Sequence, residues 1–212
     1  MSADRYPLLQ RPDAPPLVLA SRSLARARLL RAAGLDFTQA QALVDEVAVR
    51  EAMQAEGVPV EDAALGLAEL KAAAVARTAP GAAIVLAADQ MLEVEGVWLE
   101  KPADLAAARR QLAALRGRRH LLVSGAVAYR GGQRVWHHVD TARLWLRDCS
   151  EAMLDAYLAA AGPAILDCVG AYQLEGLGLQ LMARVEGDLF TIQGLPLLPV
   201  LQFLRDQGVL AA

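Results

Sequence analysis

The residues best placed to do chemistry are one acid and two lysines. Ile84-Val85-Leu86-Ala87-Ala88 reads as a buried strand that delivers Asp89 at its end. A second short extended stretch follows and closes on Lys101-Pro102. An anion and a cation at the rim of a buried sheet are poor packing material and good catalytic material. Of the 21 basic residues only Lys71 and Lys101 are lysine. Where arginine dominates so strongly, a lysine marks a need for a compact point charge, although a single helical lysine is ordinarily solvated. A second acid step, Asp45-Glu46, closes the apolar stretch Phe37 to Val44.

A different chemistry is suggested near the start. Leu17-Val18-Leu19-Ala20 reads as a short strand running into Ser21-Arg22-Ser23 and then into LARARLLRAAG, a helical pattern with Gly34 as its C-cap. Strand, polar turn and helix N-terminus form an arrangement in which backbone N–H groups and the helix dipole can hold an anion. Ser21 and Ser23 add hydroxyls; Arg22, Arg26 and Arg28 add positive charge. The plainer alternative is that Ser23 is an N-cap and the arginines are a solvated face.

The elements that must position these groups alternate along the chain. Phe37–Val44 is expected as a strand. Residues 47–80 are expected as two helices with a turn at Val58-Pro59, the second carrying Lys71. Asp104 should cap a helix reaching Leu115, and Ser150 one ending at Gly162. Strands over 120–129 and 134–148 flank Gly131-Gly132, a hairpin signal. Residues 179–193 read as two strands around Glu186-Gly187-Asp188, and a last helix follows Gly194-Leu195-Pro196-Leu197. His137 and His138 are adjacent, so on a strand they face opposite sides and make no metal pair. GLGLQ at 176–180 lacks the third glycine and the following helix of a dinucleotide site.

Composition narrows the function class. The chain of 212 residues is 55% hydrophobic and carries a net charge of −3, enough apolar content for a large core and no basic footprint for nucleic acid or anionic membrane. No apolar run approaches the ~18–20 residues of a membrane span. The first 16 residues carry Pro7, Pro12, Pro15 and Pro16 with no apolar signal region, and a flexible tail is expected there, ahead of one domain over 17–212. Cys149 and Cys168 read as two free thiols of a cytoplasmic protein.

Seven fragments in this order resemble the Maf family of nucleoside triphosphate pyrophosphatases, formerly called septum formation inhibitors. They are LVLASRSLARARLLRAAGLDF from Leu17, VDE at 44–46, LAELKA at 67–72, AADQ at 87–90, EKPAD at 100–104, VGAYQLEG at 169–176 and GDLFTIQGLPL at 187–197. The resemblance implies an α/β fold: a bent mixed sheet flanked by helices, in two lobes with a nucleotide cleft. It implies hydrolysis of a nucleoside triphosphate to the monophosphate and pyrophosphate with a divalent metal, Mg or Mn, and a homodimer is a reasonable assembly. Carried over by position, Asp89 would be the general base. Glu46 would join it in holding metal or water. Ser21, Ser23, Arg26, Lys71 and Lys101 would hold phosphate. Gln90 and Glu175 would read the base.

This chain also departs from the family pattern. Leu24 and Ala25 stand where the family's SxSPRR segment has proline and its first arginine, and Asp167-Cys168-Val169-Gly170 lacks the lysine of the usual DKAG-type segment. Both changes bear on catalytic efficiency. Gln90 with Glu175 resembles the branch acting on 7-methyl-GTP, as does Cys168, whereas Ala25 departs from that branch. A glutamate suits a guanine edge, whose N–H donors it can accept. The alternative expectation is a catalytically weakened nucleotide-binding regulator of cell division that acts through a protein partner.

Overall fold

The local rules of the sequence account for most element boundaries. The computed structural model describes residues 9–211. Strand β1 is Leu17–Leu19, and helix α1, Leu24–Ala32, is capped by Ser23, whose hydroxyl accepts the Arg26 N–H. Gly34 follows at φ 74°, and its N–H returns to the Arg31 carbonyl, as a left-handed helix stop requires. Strand β2 is Thr38–Gln39, α2 is Glu46–Ala55 and α3 is Val60–Ala76. Strand β3, Ile84–Val94, turns through Glu95 and Gly96, both at positive φ, into β4, Val97–Leu99. That is the geometry of a tight type I′ hairpin. Then come α4, Leu105–Leu115; β5, Arg119–Arg130; β6, Gln133–Leu146; and α5, Glu151–Ala161. Three short 3-10 segments, Gly162–Asp167, Val169–Ala171 and Leu177–Leu181, lead to β7, Met182–Glu186. The last helices are α6, Leu189–Ile192, and α7, Leu197–Asp206.

The seven strands follow the hydrogen-bonded order β2-β1-β3-β5-β6-β7, with β4 also on β3. Pairing of β1 with β2 and with β3 is parallel, and that of β3 with β4 and β6 with β7 is antiparallel. The sheet is therefore mixed and the class is α/β. The chain divides into two compact units, one formed by Met1–Asp89, Ser124–Asp140 and Gly194–Ala212, the other by Gln90–Val123 and Thr141–Gln193.

In the first unit, Val18, Val85, Ala87 and Val127 from the strands pack with Ala68, Ala72 and Val75 of α3. The run from Ile84 to Asp89 is buried at every position, as expected of a strand covered on both faces. Gly125 on β5 lets the α3 backbone come close: a Cβ there would lie 2.7 Å from the Leu65 nitrogen and 2.8 Å from the Ala64 carbonyl. In the second unit, Leu92, Leu112, Leu115, Leu122, Leu144 and Leu154 form the core. His120 and Tyr172 are buried with them and bond to each other at 2.7 Å.

Two expected strands are corrected. Phe37–Val44 pairs only at Thr38 and Gln39, opposite Val18 and Leu19. β1 has just three residues before the Ser21–Ser23 turn, so β2 runs out of partner, and Leu43 is 87% exposed. The second half of 179–193 is helix α6, because the Asp188 carboxylate accepts the Thr191 N–H and starts a helical turn. Of the expected tail, residues 1–8 lie outside the described residues. Residues 9–11 carry backbone bonds, Leu9 N–H to the Gly34 carbonyl and Arg11 N–H to the Val209 carbonyl.

Two stability predictions follow from these contacts. Gly125→Ala should destabilise the protein by about 1–3 kcal/mol through overpacking against α3 backbone, read as a lowered denaturant midpoint. Burial pulls His120 from 6.5 down to about 4, and its neighbour Tyr172 is pushed upward and stays neutral. The unfolded chain therefore takes up the proton first as pH falls. His120's stabilisation is complete above pH 6.5 and is lost as pH falls from 6.5 towards 4. Chemical unfolding at a series of pH values should show this loss in the wild type and a flatter profile in His120→Gln.

Candidate active site

Six of the sequence-selected residues, Ser21, Ser23, Arg26, Glu46, Lys71 and Asp89, lie within the first unit. Leu67, Lys71 and Val75 share the buried face of α3 at four-residue spacing, so the helix drives a charged side chain into its own apolar contact surface. There the Lys71 ammonium donates to Asp89 Oδ1 at 2.6 Å and pairs with Glu46 Oε2 at 2.7 Å. Asp45 and Glu46 divide the labour of their acid step. The Asp45 carboxylate caps α2 by accepting the Ala48 N–H, which leaves Glu46, the first residue of the helix, to face Lys71.

The Ser21–Ser23 turn is built around Arg26. The Ser23 N–H donates to Ser21 Oγ at 3.2 Å, and Arg26 Nη1 donates to that same oxygen at 3.2 Å. Arg26 Nε donates to the Gly194 carbonyl at 2.7 Å. Gly194 sits at φ 93°, and a Cβ added to it would lie 3.4 Å from the guanidinium. The left-handed backbone thus calls for glycine. Burial pulls the Arg26 guanidinium below its ordinary value, and the Asp89 and Glu46 carboxylates oppose that shift. Arg22 and Arg28 are exposed, so Arg26 is the arginine of this turn that is withdrawn from water.

Among the described residues, Arg26, Lys71 and Asp89 are the buried residues that carry full charge, and all three belong to this cluster. Buried charge is retained only where it is paired, and here the pairing is one oxygen short. Asp89 Oδ2 is buried with no hydrogen-bond partner. An uncommitted carboxylate oxygen beside a second carboxylate is a donor set that suits a hard divalent cation, which takes one or two protein carboxylates plus phosphate oxygens. It equally suits acceptance of a proton from water.

The remaining candidates belong to the second unit. Gln90 donates from Nε2 to the carbonyls of Thr191 at 2.9 Å and Ile192 at 3.0 Å, tying α6 to β3. Lys101 and Glu175 are exposed. Both act on half-buried Cys168, whose thiol is pushed up mainly by burial, with a Gln173 hydrogen bond opposing, Glu175 adding to the rise and Lys101 pulling down. Lys101, Cys168 and Glu175 thus share one electrostatic neighbourhood. Sequence reasoning missed two things: the Gly194 carbonyl as the arginine's anchor and the buried His120–Tyr172 pair. The first was signalled by the glycine of Gly194-Leu-Pro. The second had no local signal, because His120 reads as a residue at the edge of an apolar strand.

The chain is similar to several known proteins over almost its whole length. A nucleoside triphosphate pyrophosphatase of Rhodospirillum rubrum is 51% identical over 196 residues, covering 92% of this chain and 96% of that protein. One from Paramagnetospirillum magneticum is 54% identical over 193 residues, covering 91% and 99%. A 7-methyl-GTP pyrophosphatase of Brucella abortus is 44% identical over 191 residues, covering 90% and 96%. The model of the Maf-like protein family matches residues 16–207. The buried carboxylate–lysine cluster, the mixed sheet and this match all concern the same stretch of chain, and the protein belongs to the Maf family.

Proposed function

We propose that the protein is a nucleoside triphosphate pyrophosphatase that removes a modified nucleotide, with 7-methyl-GTP the leading substrate, from the nucleotide pool. The observation that carries this reading is the Lys71–Asp89 pair with Asp89 Oδ2 uncommitted. Lys71 holds Oδ1 and so fixes the carboxylate's orientation, leaving Oδ2 to accept a proton from the attacking water. The water oxygen bonds to the α-phosphorus, the bond from that phosphorus to the leaving pyrophosphate breaks, and the water proton goes to Asp89. Such a step depends on position and charge neutralisation more than on covalent chemistry.

Ser21, Ser23 and Arg26 hold phosphate oxygens at the N-terminus of α1, and Lys71 and Lys101 add positive charge. Glu46 and Asp89 would hold a divalent cation, Mg or Mn, which when bound supplies charge neutralisation to the triphosphate. Glu175 reads the base by accepting its N–H donors, and the 44% identical Brucella relative supports a 7-methylguanine. Gln90, whose amide also holds the Thr191 and Ile192 carbonyls, reads the base with Glu175. The enzyme works in the cytoplasm as a homodimer, a reading supported by exposed Leu177, Leu179 and Leu189 in the second unit.

The test is a pyrophosphate-release assay on 7-methyl-GTP, GTP, dTTP and UTP. Turnover should vanish with EDTA and return with Mg or Mn. Asp89→Asn, assayed on folded protein below the lower melting temperature expected from unpairing buried Lys71, should lower kcat by about 10²–10⁴-fold. Wild-type turnover in that variant would remove Asp89 as the base.

A further inference from the structure

The second unit contains a polar pair that the proposed chemistry does not use. His120, on β5, is 1% exposed, and Tyr172 is 4% exposed. His120 Nε2 meets the Tyr172 hydroxyl at 2.7 Å, with the rings edge to face at 5.6 Å. His120 Nδ1 is buried with no partner. Two apolar residues of similar shape would fill this space without desolvating an imidazole and a phenol, so packing alone does not explain the pair. A directional bond supplies what an apolar contact lacks, a single allowed position for the phenol oxygen.

The segment fixed by that oxygen is held at several other points. Gly170 at φ 79° and Ala171 at φ 59° are consecutive left-handed residues. Ala171, with a side chain, adopts this conformation only where its surroundings enforce it. The Tyr157 hydroxyl donates to the Ala171 carbonyl at 3.2 Å. A Cβ on Gly170 would lie 2.6 Å from Leu92 and 2.9 Å from the Tyr172 ring, and one on Gly178 would lie 2.5 Å from the Gln173 carbonyl. Leu174 is buried next in line. The residue this series of constraints brings to the surface is Glu175.

We infer that His120 and Tyr172 are positioning residues for nucleotide selectivity: their buried bond fixes the 168–175 segment and with it the direction of the Glu175 carboxylate. The inference rests on the base-reading role given to Glu175 above. A carboxylate that discriminates between bases must be held to a fraction of an ångström, and a loop does this only when its supports are rigid. Removing the bond while keeping the rings frees the carboxylate without emptying the core.

The experiment measures kcat and KM for 7-methyl-GTP and for the poorest accepted triphosphate in wild type, Tyr172→Phe, His120→Phe, His120→Gln and Glu175→Gln. Tyr172→Phe and His120→Phe should lower the selectivity ratio by about tenfold, mainly through KM for the preferred nucleotide, with kcat within about twofold. His120→Gln, which keeps a side-chain amide able to meet the phenol, should recover much of the ratio. A merely structural pair would lower the melting temperature and leave the ratio unchanged. If Glu175→Gln lowers the ratio and a folded Tyr172→Phe does not, the positioning inference falls and the base-reading role stands. If Glu175→Gln leaves the ratio unchanged, the base-reading role falls and this inference falls with it. Tyr172→Phe removes one oxygen atom, so its ratio decides the matter even where the His120 variants are insoluble.

Discussion

The interaction on which the rest of the structure depends is the salt bridge between Lys71 and Asp89, made out of water. Each charge alone would carry a desolvation penalty of several kcal/mol in the interior, and together they are tolerable only at close range. The geometry provides that range: 2.6 Å, with side chains 9% and 7% exposed. The apolar face of α3 and the doubly covered strand β3 hold the two ends. Glu46 takes a second position on the ammonium, and Arg26 lies within the field of both acids. Among the described residues, three charged side chains are withdrawn from solvent and the other buried residues are nearly all apolar. A water-poor setting of this kind is where fixed charges act most strongly on a reacting phosphate.

One peptide bond separates two different uses of β3. Successive residues of an extended strand point to opposite faces. Asp89 turns its carboxylate to Lys71, and Gln90 turns its amide to the carbonyls of α6. Read from the chain alone, these neighbours look like a joint signature, base and base-reader side by side. In the fold the Gln90 amide nitrogen is committed to backbone oxygens, so this residue shapes its surroundings more than it offers donors outward.

What was legible in the sequence was whatever depends on neighbours in the chain. The buried run before Asp89, the caps at Ser23, Asp104 and Ser150 and the glycine hairpin could all be read from local pattern, and all stand where expected. The order of the motifs carried the family and the fold. What was not legible depends on partners far along the chain. Phe37–Val44 has the composition of a strand, yet its partner β1 ends after three residues. Alternation over 179–193 could not reveal that Asp188 would begin a helix. His120 acquires meaning only opposite Tyr172, 52 positions away.

Distance along the chain also sets when the hydrogen bonds of the Ser21–Ser23 turn become complete. Arg26 is synthesised early, but its 2.7 Å acceptor is the carbonyl of Gly194, 168 residues later. Until that carbonyl arrives, the guanidinium has no reason to leave water, because burying it with an unsatisfied N–H would cost more than it returns. A chain emerging from the ribosome therefore carries the Ser21–Ser23 turn long before it carries the carbonyl that anchors Arg26. Closing a loop of that length costs chain entropy before the bond rewards it.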